Sequence, residues 1–192
     1  ISRKDKLLGK LNWNQLGEHN RMNALAAIAA ANHAGVSPQT SITALEKFQG
    51  VKRRMEIKGV VNGITIYDDF AHHPTAIATT IAGLRHRVGN ARILAVLEPR
   101  SNTMKQGVWK DDLAASLRDA EAVFCYTANL GWDAAGALRS LGDKVKTSDD
   151  IDALIKMIKQ AVKTGDQVLI MSNGGFAGIH GKLLAKLKTT TS

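Results

Sequence analysis

The chain has one cysteine in 192 residues, Cys125, which excludes an internal disulfide framework. That cysteine lies in the apolar run AVFCY, where a buried, inert thiol is expected rather than a reactive one. No apolar run approaches the roughly 20 residues that a membrane-spanning helix needs, and no signal-peptide pattern opens the chain. Aromatic residues make up only 5%, and no basic helix or aromatic–basic interleaving of a nucleic-acid-binding module is present. An initiator methionine is missing, and the opening run ISRKDKLLGKLNWNQLG shows no tidy first element. The chain is therefore expected to begin inside a longer protein. These absences leave a soluble, cytoplasmic protein with neither membrane nor nucleic acid as partner.

What is present is a real core and an uneven charge. Apolar residues make up 44% of the chain, enough for one domain, or one domain with a piece of another. The net charge is +9. Residues 1–60 hold ten Lys/Arg against four Asp/Glu, and the rest of the chain sixteen against thirteen. Such asymmetry points to an anionic partner near the first third, most economically the phosphates or carboxylates of a small molecule.

Along the chain, NRMNALAAIAAANHAG reads as a helix with Asn20 as N-cap and Gly35 as its stop. SPQTSITALEKF follows as a second helix, capped by Ser37 with Pro38 in its first turn. The basic run GVKRRM, residues 50–55, is the expected domain boundary. Beyond it, MEIKGVVNGITIYDDF reads as two strands about the turn Asn62–Gly63, and Pro74 opens a helix through about Arg87. Buried strands are expected in ARILAVLEP, AEAVFCYT and DQVLIMS. Helices are expected over 105–119, 132–140 and 149–163, and in the closing KLLAKL, with a frayed KTTTS tail. This alternation predicts an α/β fold, a mostly parallel sheet with helices on both faces. Four polar runs follow strands, DDFAHHP, EPRSNTMK, TANLGWD and SNGGFAGIH, and should converge on the carboxyl edge of the sheet where ligands of such folds gather.

Several of these runs admit two readings. Asn20 and Asn23, three apart at a helix start, share a face. They are either a cap with a surface amide or a pair of amides for a planar base. Arg53 and Arg54 are either a solvated charge run or planar donors for phosphate. In DDFAHHP, the residues Asp68, Asp69, His72 and His73 fit a metal site, a carboxylate for ribose hydroxyls, or a polar cap on the helix at Pro74. The glycines of SNGGFAGIH are not a dinucleotide fingerprint, since they follow the last strand and lack the GxGxxG spacing. His180 taken alone reads as structural.

Together GEHNRMNALAAIAAA, GVKRRME, DDFAHHPTAI and SNGGFAGIH resemble the Mur ligases, ATP-dependent amide-bond-forming enzymes of peptidoglycan synthesis. The resemblance covers essentially the whole chain. It implies that residues 1–49 are the tail of the family's central ATP-binding domain, and that residues 50–192 are its Rossmann-like C-terminal domain. The N-terminal and central domains would then lie upstream. The P-loop pattern G-x-x-x-x-G-K-[ST] is absent, so this fragment alone should be inactive. The implied cofactors are ATP and Mg2+. The implied substrates are UDP-N-acetylmuramate and, from the EPRSNTMK loop, the murein tripeptide L-alanyl-γ-D-glutamyl-meso-diaminopimelate, with L-alanine as the nearest alternative amine. By the same resemblance Asn20 and Asn23 match adenine contacts. Arg54, rather than Arg53, matches the arginine at the ATP phosphates, and Asp69, rather than Asp68, matches the ribose aspartate. His72 and His73 would position the amine substrate near the γ-phosphate, and Arg100, Ser101 and Asn102 would meet the peptide's carboxylates. No metal ligand is assigned. A stand-alone nucleotide- or nucleic-acid-binding module is the alternative of a different class.

Overall fold

Glycines with positive φ set the bounds of the first elements. The computed structural model describes residues 1–13, 15, 17–48 and 50–189, with only the backbone of His19. It divides into two units, residues 1–51 and 52–192, the division falling inside the basic connector. The first unit opens with a small antiparallel pair, β1 (Ser2–Arg3) and β2 (Lys6–Leu7). It continues into α1 (Glu18–His33) and α2 (Pro38–Glu46). Asn20 is not the N-cap. Gly17, at φ 87°, turns the chain into the helix earlier, and the Asn20 N–H already bonds to the Gly17 carbonyl at 3.2 Å, inside the first turn. The other end is as expected: Gly35 at φ 88° follows the helix, and the Val36 N–H closes back on Ala31 O at 2.9 Å. Ser37 caps α2 by accepting from the Thr40 N–H at 3.1 Å, with Pro38 at the first position.

The second unit begins with a hairpin, β3 (Glu56–Val61) and β4 (Ile64–Asp69). Its turn places Asn62 and Gly63 at φ 52° and 74°, as a two-residue hairpin whose twist matches its strands requires. After it come α3 (Pro74–Val88), β5 (Ile93–Leu97), α4 (Asn102–Lys105) and α5 (Lys110–Ser116). Then follow β6 (Ala122–Tyr126), α6 (Ala134–Ala137) and β7 (Val145–Ser148), and finally α7 (Ile151–Ala161), β8 (Gln167–Met171) and α8 (Ile179–Lys188). The expected tail at 190–192 lies outside the described residues.

Two helical expectations are corrected. The stretch 105–119 is broken because Gly107 takes φ 76° and ends α4; the Trp132 indole N–H then donates to Met104 O at 2.7 Å where a continuous helix would run. The helix expected over 132–140 is one short turn followed by a 3₁₀ segment, Arg139–Lys144, kinked at Gly142. Strand β7, only four residues long and with Val145 as its one apolar residue, carries too little apolar signal to stand out in the sequence.

The sheet order is β3-β4-β8-β5-β6-β7, and among the described residues β3–β4 is the one antiparallel pair in it. Alternation along the strands divides the core by face. Tyr67, Ile93, Ala95, Leu97, Val123, Cys125, Leu169 and Met171 pack with Ile77, Ile81 and Leu84 of α3 and with Leu113 of α5. Ile64, Ile66, Leu94, Val96, Phe124, Val168 and Ile170 pack on the other face with Leu154, Ile155 and Ile158 of α7 and Ile179, Leu183 and Leu187 of α8. Helices thus cover both faces of a mostly parallel α/β sheet. Cys125 is buried, and burial pushes its thiol up to about 12, which makes it an inert core residue.

Candidate functional site at the carboxyl edge of the sheet

Because β4, β8, β5 and β6 run parallel, the segments that follow them leave along one edge. At β8 the connections diverge. Its helix α8 packs on one face, while α3 and α5, after β4 and β5, pack on the other. Ligands of such sheets bind at switch points of this kind, and the runs that follow β4, β5 and β8 meet there.

The turn before β3 carries two adjacent arginines with different surroundings. Arg53 and Met55 both hold positive φ, 60° and 52°, a conformation that non-glycine residues keep only when neighbours enforce it. Here the Arg53 N–H donates to Glu56 Oε2 at 3.0 Å, and the Met55 N–H donates to Asp69 Oδ2 at 2.8 Å. The Arg53 guanidinium faces inward, with Nε 3.3 Å from Asp68 Oδ2 and Nη2 donating to Ser172 O at 2.6 Å. Arg54 is exposed, and its guanidinium makes no hydrogen bond among the described residues. It rests 5.8 Å from the Phe70 ring, which also lies 5.3 Å from the Arg53 guanidinium.

The two aspartates divide along the same line, since successive side chains of β4 point to opposite faces. Asp68 turns toward α8, where Oδ1 is 3.3 Å from His180 Nε2. The two atoms are close enough for an ion pair whenever the imidazole is protonated, although Nε2 makes no hydrogen bond of good geometry among the described residues. Burial pulls the Asp68 carboxyl up, and His180 and Arg53 outweigh it, so that its pKa lies below the ordinary range. Asp69 turns toward α3, with Oδ1 accepting from the Ala71 N–H at 2.8 Å and from Thr80 Oγ1 at 3.4 Å. It is 2% exposed, and burial raises its pKa against the pull of Ala71, Met55 and Arg54. Its oxygens are directed at the protein, and they clamp the arginine turn to the end of β4.

His72 Nδ1 lies 2.9 Å from Phe70 O, with its ring edge-on to the Phe70 ring. His73 caps α3, accepting from the Thr75 N–H at 3.3 Å, and stands edge-on to Trp109 at 4.5 Å. The cap reading of this run therefore describes His73. No group of three His, Cys, Asp or Glu among the described residues could hold a metal ion. Ser101 caps α4 by accepting from the Met104 N–H at 3.3 Å, and Asn102 is exposed at its first position. Arg100 is exposed and lies against the backbone of Gly174, where any side chain would overlap its guanidinium. Asn20 and Asn23 lie in the first unit on α1, Asn20 half-buried and Asn23 exposed.

Sequence reading missed Glu98, Ser172 and Asn173. Ser172 Oγ donates to Glu98 Oε2 at 2.5 Å and accepts from the Gly174 N–H at 2.9 Å. Their one signal is position, directly after the apolar runs of β5 and β8.

A mostly parallel sheet with arginine, carboxylate and histidine groups at its switch point defines an open α/β domain with a charged carboxyl edge. The chain belongs to the Mur ligase family: the profile described as "Mur ligase, glutamate ligase domain" matches residues 53–174. It is 51% identical over 179 residues to the UDP-N-acetylmuramate–L-alanyl-gamma-D-glutamyl-meso-2,6-diaminoheptandioate ligase of Escherichia coli K12, covering 92% of this chain and 39% of that one. The crystal structure of a murein peptide ligase from Psychrobacter arcticus is similar over 100% of this chain and 42% of its own, at a TM-score of 0.75 and 44% identity. A UDP-N-acetylmuramate–L-alanine ligase from Mycobacterium sp. JLS is 32% identical over 90% of this chain and 37% of its own. The chain thus spans about two fifths of the length of the curated relatives it matches. No helix among its described residues is long and apolar enough to cross a membrane.

Proposed function

We propose that this chain is the C-terminal part of an ATP-dependent ligase. The intact enzyme would join the carboxylate of UDP-N-acetylmuramate to the amine of L-alanyl-γ-D-glutamyl-meso-diaminopimelate. The observation that carries the reading is the 51% identity to a ligase of that name, against 32% for the L-alanine ligase. In this reading residues 1–49 are the tail of an ATP-binding domain, residues 50–192 receive the amine substrate, and the missing domains precede them in a cytoplasmic protein.

ATP fits the residues present because Arg54 offers an exposed guanidinium with no hydrogen bond of its own among the described residues, and planar guanidinium donors suit phosphate oxygens. When bound, ATP supplies the phosphoryl group that activates the carboxylate for attack by the amine. Arg54 offsets phosphate charge, and Asn20 and Asn23 meet the adenine. Asp69, matched by the resemblance to the ribose aspartate, is buried against Met55, Ala71 and Thr80, so in this reading it serves the nucleotide by clamping the turn that presents Arg54. His72 and His73 position the incoming amine, and Arg100, Ser101 and Asn102 face the peptide's carboxylates. Mg2+ would accompany the nucleotide, and no described residue is assigned to it.

The test is a ligase assay on the chain extended upstream to the length of its relatives, with UDP-N-acetylmuramate, ATP, and tripeptide or L-alanine as competing amines. Preferred use of the tripeptide is expected, and preferred use of L-alanine would replace this reading with the alternative. The 192-residue chain alone should give no turnover.

A further inference from the structure

The His180 side chain is mostly buried at the start of α8, and its Nε2 is shielded from solvent without a well-formed hydrogen bond among the described residues. A buried polar atom left in that state costs free energy and calls for a reason. Its charged neighbour is Asp68, whose Oδ1 lies 3.3 Å away. A ring nitrogen facing a carboxylate at that range carries its proton, since two lone pairs would repel each other. His180 therefore meets Asp68 as a donor or, when protonated, as a cation.

The turn at 53–55 is clamped from both faces of the sheet. On the α3 side the clamp is Asp69, which accepts from the Met55 N–H at 2.8 Å. Asp69 is itself fixed by the Ala71 N–H at 2.8 Å and the Thr80 hydroxyl at 3.4 Å. On the α8 side the clamp is Arg53, whose guanidinium reaches Asp68 at 3.3 Å and the Ser172 carbonyl at 2.6 Å. The Asp68 carboxylate has no backbone or hydroxyl donor of the kind that holds Asp69. Besides Arg53, His180 is its one side-chain partner among the described residues. The other acids on neighbouring elements are engaged elsewhere: Glu56 on β3 with the Arg53 N–H and Lys58, both at 3.0 Å, and Asp152 on α7 with Lys182 at 3.9 Å. Arg53 and Met55 hold φ of 60° and 52°, and such backbone relaxes once its restraints loosen. Arg54 stands between them, so its direction follows the clamps.

We propose that His180 is a positioning residue for the arginine turn. Through Asp68 and Arg53 it fixes the direction in which Arg54 meets the phosphates of the nucleotide. The proposal deepens the ligase reading and rests on it only for the nucleotide; the coupling of His180 to the turn belongs to the fold alone.

Two variants separate the donor from the ring. His180→Phe keeps an aromatic ring of similar size without a donor, and His180→Gln places an amide N–H near the position of Nε2. In the 192-residue chain, NMR should show the Arg53 Nε–H exchanging with solvent about tenfold faster in His180→Phe, with shifted backbone amides at Arg53, Arg54 and Met55, and near-parent behaviour in His180→Gln. In the extended ligase, His180→Phe should raise the Michaelis constant for ATP about tenfold while that for the amine peptide stays unchanged, and His180→Gln should restore it. In an Asp68→Asn background His180→Phe should have no further effect, since its path through Asp68 is already cut. If the phenylalanine variant does not fold, His180→Leu takes its place. Parent-like Arg53 exchange in the variant without a donor, a glutamine variant as impaired as that one, additive effects with Asp68→Asn, or an equal rise for ATP and amine would each overturn the positioning role. Absent turnover of the unmutated extended protein would refute the ligase reading instead, and the exchange measurement on the 192-residue chain would still decide the coupling.

Discussion

The Arg53 guanidinium holds the Asp68 carboxylate at 3.3 Å and the Ser172 carbonyl at 2.6 Å, while Arg54, the next residue, makes no hydrogen bond through its side chain among the described residues. Two identical side chains therefore have separable roles. Arg53→Gln is expected to destabilise the domain by about 1–3 kcal/mol, since it leaves a buried carboxylate short of its partner. Arg54→Gln should leave stability within about 0.5 kcal/mol. In the extended ligase, however, it should raise the Michaelis constant for ATP or lower turnover. Thermal melts of both variants beside steady-state kinetics check the division, and equal loss of stability in the two would refute it.

Phe70 lies under both arginines, at 5.3 and 5.8 Å from their guanidinium carbons. Phe70→Leu keeps apolar bulk but removes the ring face, and is expected to destabilise by about 0.5–1 kcal/mol for each guanidinium that no longer stacks on it. Phe70→Tyr should restore both stability and ATP affinity. A leucine variant with wild-type ATP kinetics would leave the ring a packing role only.

Gly174 has ordinary backbone geometry, so an added methyl group meets no conformational barrier and clashes only with Arg100. Gly174→Ala should leave the melting temperature nearly unchanged. In the extended enzyme the Michaelis constant for the amine peptide should rise about tenfold, with that for ATP unaltered. A rise for ATP instead would place Arg100 elsewhere in the reaction.

The two aspartates respond to pH with opposite sign. The folded-state pKa of Asp68 is depressed below its ordinary value of 3.8, by His180 and Arg53 against the opposing effect of burial. Its contribution to stability is therefore complete above that value and is lost as pH falls through the lower folded value. Asp69 is raised above the same ordinary value by burial, so its ionised form is penalised in the fold, and that penalty is absent at low pH and grows as pH rises. Melting temperatures measured between about pH 3 and 7 should show Asp68→Asn falling less steeply in acid than the parent chain. An unchanged acid slope would count against the Asp68 cluster.

Much of this architecture is legible along the chain. Asn62–Gly63, Ser37–Pro38 and Gly35 read correctly because turn and cap chemistry is local, set by residues within four positions of one another. The buried strands Ile93–Leu97, Ala122–Tyr126 and Gln167–Met171 read correctly because strands covered on both faces are apolar throughout. Asn20 has the chemistry of a cap but not the place of one, because Gly17 enters the helix first. The 105–119 stretch has helical spacing, and nothing nearby in the sequence announces the Trp132–Met104 hydrogen bond that lies across it.

The sequence by itself determined the α/β architecture, the family, and the edge of the sheet to which the polar runs belong, since periodicity and motif order are properties of the linear chain. Only the tertiary structure decided which of two neighbouring like residues faces the protein and which faces outward. Arg53 and Arg54, or Asp68 and Asp69, are interchangeable in composition and adjacent in order. Their different environments come from Ser172, His180, Thr80 and Met55, brought beside them by the β4–β8 pairing, the packing of α3 and α8, and the turn at 53–55. Hydrogen-bond partners more than seventy residues away leave no mark on local spacing, and that is why Glu98, Ser172 and Asn173 become a cluster only where β5 and β8 lie side by side.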